Sequence, residues 1–160
     1  MSKQAPIISA SFVSSILLSA ITILLGGVIY ILLRSHEPQF FTLFNKIGID
    51  NWLNSIRQSS LLASSIIPKW IVFSLPNGLW AMAYSLLITS IWSGSKSKIR
   101  YFWFVTIPVL VLGFEVLQLT EIIRGTFCIQ DMVSGIVGII IGIFVGNKIT
   151  KIKNHEKNIA

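Results

Sequence analysis

The sequence predicts an all-α membrane protein, a polytopic bundle of four transmembrane helices with an amphipathic outer segment between the first two. Three observations carry this. Hydrophobic residues fill 53% of the 160 positions and charged residues only 12%, about half the roughly 25% charged fraction of an average soluble domain. Four apolar runs approach or exceed the roughly 20 residues a helix needs to cross a bilayer core. Lysine and arginine collect at alternate connections, the charge asymmetry that orients membrane helices. A soluble enzyme and a disordered chain are excluded, and the length admits a single membrane domain, 1–160.

The first span is expected at 8–33, within a charge-free run. That run far exceeds the roughly 7–15 apolar residues of a signal peptide, so it is read as a retained helix. The connection that follows carries an amphipathic pattern at 38–60, in which Phe40, Phe41, Phe44, Ile47, Ile49, Trp52, Leu53 and Ile56 recur at helical spacing with a break near Gly48. Such a segment suits the outer membrane interface. The second span is expected at 70–92, where Pro76 should remove a backbone donor and kink the helix. The third, 101–120, is interrupted by Glu115, and the fourth, 132–150, relies on snorkelling of Lys148 and Lys151 to reach full length. Three spans with a re-entrant fourth segment are the fallback.

Charge sets the orientation. With four spans, Lys3, the 93–100 linker and the C-terminal tail share a side that holds eight Lys or Arg and one acid, Glu156. The other side has Arg34, Lys46, Arg57, Lys69 and Arg124 against Glu37, Asp50, Glu121 and Asp131. The formal net charge of +7 therefore lies on the expected cytoplasmic face, and both termini are placed there. These cations flank helix ends without interleaved aromatic platforms. They suit anionic lipid headgroups and not a nucleic acid.

The informative residues are polar ones at costly depth. Glu115 is expected roughly 8 Å inside the third helix, with Gln118 on the same face at i+3, and Asn77 at roughly 11 Å in the second. Arg124 stands in the following turn and Asp131 opens the fourth helix. An ionisable group within a span is a functional-site candidate by default, because insertion scales charge about 2.5–3.5 kcal/mol for a central Asp, Lys or Arg. Asn77, Glu115, Gln118, Arg124 and Asp131 are thus the expected lining of a binding pocket. Each has a plainer role available: a helix N-cap for Asp131, a surface partner of Glu121 for Arg124, a backbone satisfier for Asn77, a protonated structural acid for Glu115. Gly138, Gly142 and Gly146 repeat at four-residue spacing, which permits close helix approach within the chain or to a partner. One cysteine, Cys128, and two distant histidines leave no basis for a disulfide framework or a metal site. No cofactor is expected.

The stretch GFEVLQLTEIIRGTFCIQDMVSGIVGIIIG at 113–142 resembles the VanZ-like family of small bacterial membrane proteins. Glu115, Gln118, Arg124, Phe127, Asp131, Gly138 and Gly142 match the family pattern. Cys128 stands where the family usually has Asp, and Gly135 where it usually has Asn. The resemblance implies the bacterial cell envelope, the inner (cytoplasmic) membrane and a link to glycopeptide resistance, without supplying a reaction.

The leading expectation is an outer-leaflet polar pocket that binds a membrane lipid or a lipid-linked envelope precursor. No nucleophile–base pair, metal cluster or phosphate-binding glycine loop is present, so binding is preferred to catalysis. The alternative is an accessory or assembly subunit of a larger membrane complex, with small-residue helix packing as its main role and a homodimer or a membrane-protein partner as its context.

Overall fold

The computed structural model describes residues 10–33, 66–123 and 126–159, with 46, 48, 55, 56, 58 and 60 as single positions. Arg124 and most of the interfacial segment 38–60 lie outside the described residues. Gly48 adopts φ +77°, a left-handed conformation in which glycine carries no Cβ penalty. All regular structure among the described residues is helical: α1 (Ala10–Leu33), α2 (Lys69–Phe73), α3 (Leu75–Trp92), α4 (Ile99–Leu119) and α5 (Ile129–Ile159).

Three stretches, Phe12–Leu33, Ile99–Leu119 and Ile129–Lys151, are long and apolar enough to cross a membrane. The expected second span forms a helix pair, α2 and α3, and its 18-residue α3 spans about 27 Å at 1.5 Å per residue. This helix is less apolar, carrying Pro76, Asn77, Ser85, Thr89 and Ser90, yet it is the most enclosed of all. The helical ladder lapses at Ser74, two residues before Pro76, whose missing N–H cannot continue it to Val72 O, so the interruption expected from the proline appears here. The fourth helix likewise begins at Ile129, three residues before the expected start, and runs well past the basic residues.

The solvent logic of the bundle is inverted relative to a soluble protein. Leu24 is 66% exposed and Phe144 is 68% exposed, while Ser15, Ser85 and Thr89 are fully buried. Large apolar side chains face outward on α1, α4 and α5, as a lipid-facing surface requires. Two buried hydroxyls are satisfied by carbonyls of their own turn: Thr22 Oγ1 donates to Ser19 O at 2.9 Å and Ser85 Oγ to Ala81 O at 2.7 Å. Thr89 Oγ1 and Ser90 Oγ are buried without a hydrogen-bond partner.

Helix α3 is the hub, packed against α5, α1 and α4. Its contact with α5 is parallel and backbone-close. A Cβ on Gly138 would fall on the carbonyl oxygen of Gly78, one on Gly142 would fall on Ser85 Oγ and the Met82 carbonyl, and one on Gly146 would stand 2.8 Å from Thr89 Cβ. The glycine stripe thus faces α3 of the same chain. Small residues let two backbones approach, so that dispersion acts between helices where lipid leaves no hydrophobic driving force. Two side-chain bonds close the ends of this pair: Ser74 Oγ donates to Asp131 Oδ1 at 2.5 Å and Ser93 Oγ to Asn147 Oδ1 at 2.8 Å.

Helix α1 packs antiparallel to α3. Ser19 Oγ donates to Ala83 O at 3.3 Å, and Trp80 lies over Gly26 with its Nε1 donating to Ile23 O at 3.3 Å. Ser15, Ser19, Thr22 and Gly26 form a small-residue stripe on α1 whose alternating four- and three-residue spacing is visible in the sequence. On the other flank Tyr84 bonds Thr106 of α4 at 2.7 Å. Thr106 already donates to Trp103 O at 2.6 Å, so the tyrosine supplies the proton between them.

Candidate functional site

The polar residues of interest gather at the end of the bundle formed by the Ser74 break, the C-terminal half of α4 and the first turn of α5. Glu115 is 8% exposed and turns inward from α4 toward α5. Its Oε2 accepts the backbone N–H of Cys128 at 3.2 Å. Cys128 holds the N-cap position of α5, since its carbonyl accepts the N–H groups of Asp131 and Met132 at 3.1 and 3.2 Å. The Glu115 carboxylate therefore satisfies one of the donors that a helix N-terminus leaves open, at the end where the helix dipole favours negative charge.

Asp131 occupies the third position of α5, not its N-cap, which corrects the plainer role considered for it. Its carboxylate reaches across to Ser74 and so ties α5 to the α2–α3 break. Ser74 precedes Leu75-Pro76, a sequence that reads as a helix start, but its hydroxyl caps no N–H of α3 and goes to Asp131 instead. A hydrogen bond to a charged acceptor contributes about 1.5–3 kcal/mol.

The helix registers set the remaining placements. Val111 of α4 lies against Gly135 of α5, where an added Cβ would meet its Cγ1 at 2.9 Å. The two helices run antiparallel, so one turn onward Glu115 and Asp131 come level. Tyr84 and Thr106 fix the α3–α4 register. Half-buried Asn77 stands two turns from Tyr84 on α3. Gln118 is half-buried one turn nearer the α4 terminus, and its carbonyl accepts the Glu121 N–H at 3.1 Å. Arg124 falls outside the described residues.

Two contributors escaped the sequence reading. Ser74 was hidden because attention fell on the proline two residues on. Cys128 contributes through its backbone N–H, which no side-chain pattern announces.

Helix α4 closes with Glu121 at φ 58°. Ile122 N–H donates to Leu117 O at 3.0 Å and Glu121 N–H to Gln118 O at 3.1 Å, the paired bonds of a helix terminus usually built on glycine. This turn points the chain back toward the α5 N-terminus.

An open apolar groove of about 620 Å³ runs along α4, with Pro108, Gly113, Phe114 and Leu117 among its walls. Glu115 does not line it, so the groove and the carboxylates are separate features of one helix. No group of three metal-ligating side chains occurs among the described residues. Chemically the polar layer offers two carboxylate acceptors, a carboxamide and a hydroxyl, which suits the hydroxyl and amino groups of a headgroup. Comparison with protein-family models, curated proteins and solved structures gave no match to this chain.

Proposed function

We propose that the chain is a four-span, VanZ-like protein of the bacterial inner membrane whose polar layer binds the headgroup of a lipid or lipid-linked envelope precursor. Both termini are cytoplasmic in this reading. The observation that carries it is the burial of Glu115 beside the first turn of α5, the turn that also bears Asp131. Glu115 accepts or exchanges a proton or hydrogen bond with the headgroup, Asn77 and Asp131 orient it with Gln118, and Arg124 meets an anionic group. The resemblance over 113–142 supports the envelope setting and the association with glycopeptide resistance. For the four-span topology the support is the placement of the 93–100 linker beside the basic part of α5 by the Ser93–Asn147 bond.

The accessory-subunit alternative draws no support from Gly138, Gly142 and Gly146, because α3 covers them within the chain.

The test is native mass spectrometry of gently extracted wild type and Glu115→Gln. Glutamine keeps an acceptor for the Cys128 N–H while removing the charge. A stoichiometric lipid retained by wild type and lost from the variant is the expected result. A protein partner retained equally by both would move the assignment to the accessory-subunit reading.

A further inference from the structure

The end of the bundle opposite the carboxylates has its own chemistry. The Ser93–Asn147 hydrogen bond, 2.8 Å long, fastens the α3–α4 linker to α5 just where α5 turns basic. Lys96, Lys98, Lys148 and Lys151 are exposed there, and Arg100 is half-buried among them. Glu115, Glu121 and Asp131 stand at the other end, and the acid on this side among the described residues is Glu156, farther along α5. Trp92 and Trp103 stack beside this cluster with centroids 6.2 Å apart, the amphipathic rings favoured at the headgroup level of a bilayer.

Arg100 is held in place. Its Nη1 donates to Ser95 O and its Nη2 to the Tyr101 hydroxyl, each at 2.8 Å, and its guanidinium lies 4.8 Å from the Tyr101 ring centroid. These bonds use two of the five guanidinium N–H donors and leave the rest for a planar oxyanion. Nor do the cations balance a helix end. Lys98 and Arg100 sit at the N-terminus of α4, whose partial charge is already positive, and α5 continues beyond Lys148 and Lys151 to Ile159.

We propose that this end is a binding surface for anionic phospholipid, whose phosphate group meets Arg100 and the lysines of the linker and α5. The inference rests on the membrane-spanning reading and is independent of the carboxylate layer. Each juxtamembrane cation is worth about fivefold in affinity for an anionic surface, so Arg100→Gln with Lys148→Gln should lower the preference about 25-fold.

The experiment compares lipids co-purifying from nanodiscs of equal phosphatidylglycerol and phosphatidylcholine. Wild type should retain phosphatidylglycerol selectively. The double variant should lose that selectivity, and Lys69→Gln at the opposite end should keep it. Because Arg100 also braces the linker, Lys96→Gln with Lys98→Gln serves as a second variant with exposed side chains and the same expected direction. Equal retention of the two lipids by wild type, or selectivity unchanged in both double variants, would overturn the proposal.

Discussion

Replacing Gly142 with alanine tests the α3–α5 contact directly. The added Cβ would fall on Ser85 Oγ and the Met82 carbonyl oxygen and lie 3.0 Å from the Leu86 nitrogen. Ser85 can rotate, but the carbonyl is helix backbone. Ordinary contact is restored only if the helices part by about 1 Å, and a gap of that size forfeits a quarter to a half of each dispersion well along the seam. Overpacking of this kind costs about 1–3 kcal/mol, after an offset of at most about 1 kcal/mol from alanine's better helix propensity. Gly113→Ala is the matched control, since nothing lies within 4 Å of its added Cβ and only the propensity gain remains. Reversible SDS unfolding in mixed micelles, followed by tryptophan fluorescence, should separate the two variants by about 2–4 kcal/mol. Equal midpoints would refute the backbone-close packing of α3 on α5.

The Ser74–Asp131 bond should appear as a coupling of about 1.5–3 kcal/mol in a double-mutant cycle of Ser74→Ala and Asp131→Ala read by the same unfolding assay. Glu121→Gly should stabilise the fold by about 1 kcal/mol, because φ 58° strains a residue with a Cβ and suits glycine; an unchanged midpoint would count against that turn. Thr89→Val should raise the thermal midpoint, since it removes a buried hydroxyl that has no partner, and leaving such a group unsatisfied costs about 1–3 kcal/mol. Valine keeps the branched shape that packs on Gly146.

Helix identity was legible in the sequence because lipid-facing surfaces demand long apolar runs, and α1, α4 and α5 supply them. The break between α2 and α3 was legible too, because Pro76 has no N–H to carry the helical ladder on. Glu115, Asp131 and Asn77 could be picked out as polar groups at similar depth from helix rise alone. What stayed hidden was the pairing: Glu115 meets a backbone N–H, and Asp131 meets a serine 57 positions away. Neither follows from spacing along one helix. The α1 stripe of Ser15, Ser19 and Thr22 carries its periodicity openly, but only burial marks it as a packing face.

The parallel pairing of α3 with α5 has a consequence during synthesis. A parallel neighbour cannot be the next helix in an up-and-down chain, so α3 must wait for α4 to be made before its principal partner exists. The Ser93–Asn147 bond joins residues 54 positions apart, which at 5–20 residues per second is a delay of roughly 3–11 s. Until α4 emerges, α3 has only α1 to lean on, through Ser19 and through Trp80 seated over Gly26, and α4 then adds the Tyr84–Thr106 bond. The nascent chain is therefore most vulnerable to quality control between the emergence of α3 and that of α5, and α1 acts as its built-in escort.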